Sequence, residues 1–465
     1  MNGSCIVRHT RYSISISSCA AYTPEPKNQR SGLNKIIPHY DDMNSNLPQH
    51  EPSISRVGIR NYKSIGKCDV ELSRLTILIG RNGAGKSNFL DALRFVADSL
   101  QNSVDYAIKT RGGINSVRRR STGHPRNLMI ELTISLSDDR ICKYSFEISA
   151  KQKAGFGIKR ERLHIVRSDG KSLAFYDTQS GELRQSSEDT MPPVSPDRLY
   201  LVAASSLPVF REIYDLLTTM GFYNLNPEAM KELQSPDAGE LLHHDGSNIA
   251  SVLSRISNHN PDVLARIQDY LRKIVPGITD VKRVSLGPKE TLEFRQKVKG
   301  SESPWRFYAN SMSDGTLRAL GSLLAVSQFA DPSSFSRMIG IEEPETALHP
   351  AAAGALMDAL TEASQHTQIL LTTHSPDLLD TFDEDQHTLL VVTSLQGETQ
   401  IAPIDDASKQ ALSEHLYTAG ELHRKDQMEP DAEDLERQKQ LTLFCDEQYE
   451  QPTDQMLWED NGDEP

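Results

Sequence analysis

The run Leu75-Thr76-Ile77-Leu78-Ile79 leads directly into Gly80-Arg81-Asn82-Gly83-Ala84-Gly85-Lys86-Ser87-Asn88. The run reads as a strand covered on both faces. The nine residues after it carry the full spacing G-x-x-x-x-G-K-S of a phosphate-binding loop. Gly83 and Gly85 allow backbone geometry that a side chain would block, so successive N–H groups can point inward as an anion nest. A helix starting near Lys86 adds its positive dipole end. Residues Gly80 to Asn88 are therefore expected to cradle ATP, with Lys86 reaching the β- and γ-phosphates and Ser87 ligating Mg²⁺. Beyond them, Phe89, Leu90, Leu93, Val96 and Leu100 form one apolar stripe at helical spacing.

Three later segments follow in the order such a machine needs. Ser313-Asp314-Gly315 opens a helix, and a serine hydroxyl with free N–H groups there makes a second anion site. The strand Arg337-Met338-Ile339-Gly340-Ile341 ends in Glu342 and Glu343. Two adjacent carboxylates at a strand end cannot both be core. Glu342 is expected in the Mg²⁺ shell, with Glu343 orienting and deprotonating the attacking water. The strand Leu370-Leu371-Thr372-Thr373 ends in His374, whose imidazole is expected to bond the γ-phosphate and sense its loss. Taken singly, these are an N-cap serine, an acidic turn and a structural histidine. Their order after the phosphate loop makes Lys86, Glu343 and His374 the expected catalytic residues. Ser313, Asp314 and Gly315 are then expected to cap ATP held by a second copy of the chain.

The 465 residues suffice for two or three domains, and 37% hydrophobic content is ordinary for a globular protein. No stretch approaches the roughly 18 apolar residues of a membrane span, and the N-terminus lacks the continuous apolar core of a signal peptide. Five scattered cysteines without a C-x-x-C pair fit a reduced cytoplasm and argue against zinc or a disulfide framework. The net charge of −14 is concentrated: Asp426 to Pro465 holds 14 acids against Arg437 and Lys439. The rest of the chain is nearly neutral, so a nucleic-acid partner is not excluded.

Residues 1–54, rich in Ser, Asn and Pro, are expected to be a disordered extension. Strands are expected over Arg56 to Ile65, Asp69 to Leu72 and Leu75 to Ile79, then an antiparallel meander through Leu128–Leu136, Ile141–Ile148 and Gly157–Val166. A mostly helical insertion is expected at about 205–280, strand character over Val281 to Val298, and helices at 317–330, 352–364 and 408–421. An acidic, disordered tail is expected over 426–465, with one helix near 431–444. Lys86 and Ser313 lie 227 residues apart without a run of apolar heptads, so the insertion is compact and not a coiled-coil arm. Lys109 to Arg126 holds six cations and no acid, a stretch that can track DNA phosphates.

These motifs resemble the ABC-type ATPase heads of the SMC/RecF/OLD group, and more closely the compact AAA_21-like ATPases of bacterial genomes. The resemblance spans roughly residues 55–425. It includes Arg60-Asn61-Tyr62-Lys63-Ser64-Ile65, Arg111-Gly112-Gly113, Asp245-Gly246-Ser247-Asn248, Ile341-Glu342-Glu343-Pro344-Glu345 and His374-Ser375-Pro376. It implies an α/β P-loop head: a RecA-like core sheet, an antiparallel β subdomain and a helical signature subdomain. It further implies an ATP-dependent homodimer sandwiching two ATP with Mg²⁺. Relatives serve DNA repair, chromosome maintenance and anti-phage defence, often beside a separate nuclease. Met312-Ser313-Asp314-Gly315-Thr316 departs from the transporter signature Leu-Ser-Gly-Gly-Gln and points away from transport. His349 stands where an aspartate couples the two sites in ABC proteins. About 90 residues follow His374, so a toprim nuclease is not expected within this chain. The alternative expectation is a slow regulatory module that uses ATP to hold a nuclease or toxin effector in check.

Overall fold

The computed structural model describes residues 52–120, 127–151, 155–328 and 338–440. Its strands, in chain order, are β1 Ser53–Tyr62, β2 Ile65–Glu71, β3 Leu75–Ile79, β4 Asn127–Ser135, β5 Arg140–Ala150, β6 Phe156–Arg167, β7 Ser172–Gln179 and β8 Glu182–Ser186. They continue as β9 Gly221–Tyr223, β10 Ile278–Leu286, β11 Lys289–Gln296, β12 Trp305–Tyr308, β13 Met338–Glu342, β14 Gln368–Thr373, β15 Thr388–Leu395 and β16 Glu398–Pro403. One large sheet runs β8-β7-β6-β5-β4-β1-β2-β16-β15-β3-β14-β13-β9, and a small one runs β10-β11-β12.

Five of the thirteen strands of the large sheet form a parallel block: β15, β3, β14, β13 and β9 all point the same way. Such strands must be covered on both faces by crossover helices, and their side chains divide accordingly. Leu78, Leu370 and Leu390 enter one core with the helix Lys86–Gln101, whose apolar stripe lies there fully buried. Ile77, Ile79, Ile339, Ile341, Ile369 and Leu371 enter the other with the helices Asp314–Ser327 and Ala353–Ser364. The fold is thus an α/β P-loop head whose parallel core continues into an antiparallel wing.

The wing, β1-β2 and β4 to β8, closes on a buried carboxylate. Glu161 accepts from the hydroxyls of Tyr144 and Tyr176 and from the backbone N–H groups of Tyr200 and Leu201. Burial pushes its carboxyl up to about 7, against the pull of these donors. Three sequence expectations need correction. β1 begins at Ser53, inside the expected extension, because the Ile54 backbone is clamped at both ends by the Gln368 amide at 2.9 and 2.7 Å. The expected 408–421 helix is two, Asp406–Ser413 and Ala419–Arg424, broken where His415 takes φ 54°. The expected acidic tail is packed as far as Gln440. Its helix Ala432–Gln440 docks on β2 and β16 through Gln438, 2% exposed, which bonds Asp69 N and Ile401 O. The remainder of both termini lies outside the described residues. The short strand β9, which edges the parallel core beside β13, has too few residues to read from sequence.

The expected DNA-tracking stretch is largely engaged within the fold. Arg111, 7% exposed at its side chain, bridges Asp91 and Asp98 at 2.9 and 2.8 Å and lies over the Phe95 ring. Arg119 pairs with Glu398 and donates to Ser64 O. Lys109 pairs with Asp105, and Arg120 donates to Asn115 O. Arg126 lies outside the described residues. Among the described residues no helix is long and apolar enough to cross a membrane.

Two outcomes follow. Arg111→Ala removes the shared partner of two partly buried aspartates, which keep Lys63 and Arg94 beside them, so unfolding in urea should show a loss of about 1–3 kcal/mol. A solvated-loop arginine would change stability by less than about 0.5 kcal/mol. Glu161 holds its proton more tightly folded than unfolded, so its stabilising contribution is full below about pH 4.5 and is lost as pH rises through about 7. Stability at pH 5.5 should exceed that at pH 7.5 by about 1–2 kcal/mol from this group, and Glu161→Gln should flatten that slope.

Candidate functional site

The carboxyl ends of β3, β14 and β13 lie side by side, where open α/β sheets hold their ligands. In register, Ile79 stands opposite Thr373, and Thr372 opposite Glu342. The phosphate loop, His374 and the Glu342-Glu343 pair therefore leave the sheet at one edge. The loop itself depends on two glycines. Gly80 (φ 148°) lies where a Cβ would meet Val392 O at 2.0 Å, and Gly85 (φ 115°) where it would meet Thr399 Oγ1 at 2.1 Å. Gly83 has the positive φ but open space around it.

Lys86 is buried and its Nζ donates to Gly80 O at 2.7 Å, inside the curl of the loop. Burial pushes its ammonium below the usual range, while Glu343, Glu345 and Glu342 pull it back. Ser87 Oγ donates to Glu342 Oε2 at 2.5 Å, bringing together the two residues expected at the metal. Glu343 takes a left-handed backbone, φ 45°, unusual for a side chain of its size. Its N–H donates to Thr372 O at 2.9 Å, and its Oε1 lies 3.2 Å from His374 Nδ1. Asn88 donates to Ser64 Oγ at 2.6 Å, tying the loop helix to the β1–β2 turn.

Glu345 is the site residue that sequence reasoning left without a role, although it is the third carboxylate of the run Glu342-Glu343-Pro344-Glu345. It is 7% exposed, accepts from Thr373 Oγ1 at 2.5 Å, and leaves Oε2 without a hydrogen-bond partner. Burial raises its carboxyl, opposed by the Thr373 bond. The polar partners of Ser313 and Asp314 lie outside this cluster. Ser313 caps its own helix, accepting from Thr316 N, and Asp314 pairs with Lys231 at 2.7 Å. Gly315 admits a close approach of Ala347 O, which a Cβ would meet at 2.2 Å. His349 caps the turn Pro350–Ala352.

This donor set suits Mg²⁺. No cluster of three or more His, Cys, Asp or Glu able to hold a metal exists among the described residues. Mg²⁺ is ordinarily held by one or two protein oxygens together with substrate phosphates and water, which is what Ser87 and Glu342 provide beside the loop.

A family model described as "AAA domain, putative AbiEii toxin, Type IV TA system", AAA_21, matches residues 75–190 and 258–380, which between them hold the phosphate loop, Ser313 to Gly315, the Glu342-Glu343 pair and His374. The chain belongs to the AAA_21 family. It is similar to "Endonuclease GajA" of Bacillus cereus (strain VD045), 23% identical over 391 residues, 79% of this chain and 61% of that one. It is also similar to "Old nuclease" of Escherichia phage P2, 23% identical over 341 residues, 70% of this chain and 57% of that one. The chain thus spans about six tenths of the length of these curated relatives. Among solved structures, an Smc head bound to the C-terminal winged-helix domain of ScpA aligns with a TM-score of 0.45 at 16% identity, over 77% of this chain and 99% of that one. The SMC head domain from Thermotoga maritima aligns with a TM-score of 0.36 at 16% identity, over 76% and 99%.

In this P-loop ATPase fold, Glu343→Gln removes a proton acceptor without changing shape. ATP turnover should fall by about 10²–10⁴-fold, while binding of a fluorescent ATP analogue survives. Lys86→Ala should lose both.

Proposed function

We propose that the protein is a Mg²⁺-dependent ABC-type ATPase whose copies pair around two ATP and act on DNA or control a DNA-acting partner. The observation that carries this reading is the Ser87–Glu342 contact beside the Glu343–His374 contact, both bordering Lys86. Lys86 and the loop N–H groups hold the phosphates. Ser87 and Glu342 hold Mg²⁺, which when bound offsets phosphate charge. Glu343 accepts the proton of the attacking water as its oxygen bonds to the γ-phosphorus and the bond to ADP breaks. His374 orients that carboxylate and reads the γ-phosphate.

Pairing of two copies is supported by the placement of Ser313 and Asp314. Their polar partners are Thr316 and Lys231, not the phosphate loop of their own chain. On this reading the anion for this helix start is the γ-phosphate held by a second copy. DNA action is supported by the nuclease names of the relatives.

A second reading is favoured by one observation: Arg111 and Arg119 are engaged in internal ion pairs, which weakens Lys109–Arg126 as a DNA contact. In this reading, ATP holds a separate nuclease or toxin effector in check, and turnover is slow.

ATP hydrolysis measured with and without double- and single-stranded DNA separates the two, with Glu343→Gln as the blank. Stimulation by one DNA form of about tenfold or more, at low salt, is the outcome expected for DNA action. Turnover abolished in the blank but indifferent to both forms selects the effector-restraint reading.

A further inference from the structure

The stretch Val281 to Tyr308 holds seven cations and three acids in a chain whose net charge is −14. The fold then hides two of those acids. Glu290 and Glu293 are buried, while six of the cations are exposed and the seventh, Arg295, is partly so.

Much of this charge gathers on one face of the small sheet. Residues that face each other across a sheet share one side of it, and successive residues alternate. Lys282 stands opposite Glu293, and Arg295 opposite Arg306. These four therefore share a face. The other face, with Val281, Leu292 and Phe294, joins the helices Ile249–His259 and Pro261–Ile274 in one apolar core.

The Glu293 carboxylate lies beneath three cations: Arg295 at 2.9 Å, Arg306 at 3.6 Å and Lys282 at 3.7 Å. Their side chains are 39%, 56% and 53% exposed, against 7% for Arg111. The contacts are loose, and Glu293 Oε1 has no hydrogen-bond partner. Among the described residues, none of the three cations pairs with another acid. One carboxylate cannot neutralise three cations, so the face keeps an excess of positive charge. Exposed pairs contribute little to stability, so Lys282 and Arg306 can exchange Glu293 for an outside anion at small cost.

The face suits phosphates rather than bases. Arg306 lies over the Tyr308 ring at 5.7 Å, and Trp305 and Phe307 alternate to the other side, so a base finds no bare ring to stack on. Cations without stacking platforms match a sugar-phosphate backbone. Duplex DNA presents the densest row of such charges, about one per 1.7 Å of axis. β12 then runs through the turn Ala309–Ser311 to Ser313, the cap of the signature helix. A ligand here lies one short turn along the chain from the helix start that the reading above places against a second copy's ATP.

We propose that the outer face of the small sheet, with Lys282, Arg295 and Arg306, contacts the phosphate backbone of duplex DNA. This gives the DNA action proposed above its surface and rests on that reading.

The test is fluorescence anisotropy of a labelled duplex of random sequence, titrated with the full chain at several salt concentrations. The double variant Lys282→Gln/Arg306→Gln leaves Arg295 on Glu293. It raises Kd at low salt by about tenfold and lowers the slope of log K against log salt by about 2. Glu293→Gln acts in the opposite direction, removing the internal competitor and lowering Kd by about threefold. A double variant that keeps the wild-type Kd and slope overturns this proposal alone. Should that variant fail to fold, unchanged or weaker binding by Glu293→Gln overturns it equally. Tighter binding of a single strand of the same length overturns the choice of duplex. A wild-type chain that binds no duplex overturns the DNA-action reading together with this one. Capture of polyglutamate in place of the duplex does the same and assigns the face to an acidic protein.

Discussion

The parallel ladder β13-β14-β3 is the constraint on which the site depends. With Ile79 opposite Thr373 and Thr372 opposite Glu342, three loops leave the sheet at the same level. Side chains alternate along a strand, so a slip of one residue would turn every one of them to the opposite face. The register is protected by that alternation. Leu78, Leu370 and Leu390 face one core while Ile77, Ile369, Ile339 and their neighbours face the other. Apolar burial on both faces thus determines where the polar groups at the strand ends stand.

At those ends the chemistry is built from charges held at unfavourable positions. Lys86 is buried among three carboxylates, Glu345 is buried with one oxygen unpartnered, and Glu343 sits in a left-handed backbone. Each would be destabilising in isolation. Together they partly offset one another, and a nucleotide with its metal matches the pattern of donors and acceptors they present. The glycines at 80 and 85 let β15 and β16 press against the loop from behind, which makes the cradle rigid.

Local cationic sequence proved a weak guide to an interaction surface. Lys109 to Arg126 reads as a free basic stretch, yet Arg111 lies beneath the surface between Asp91 and Asp98, one helical face of the phosphate-loop helix. Sequence lists the cations; it does not list which aspartates the fold will bring to them. The acidic C-terminal region holds the converse lesson. Its charge suggests mobility, but Gln438 docks on β2 and β16, and Arg424 and Asp426 find partners beside the site.

By itself the sequence determined the P-loop class, the strand–loop–helix around Lys86, the carboxylate pair after β13 and the histidine after β14. These are legible because each is a short contiguous pattern whose residue types follow from local backbone geometry and periodicity. Tertiary structure alone decided which residues meet. It joined Ser87 to Glu342 across 255 positions, Glu343 to His374, and Gln368 to Ile54. It also recruited Glu345, the three-residue strand β9 and Asp426, which pairs with Arg81 of the phosphate loop. Those contacts depend on strand order and on long-range close approach at glycines such as Gly85. No local period encodes strand order, and a single glycine does not announce what will pack against it.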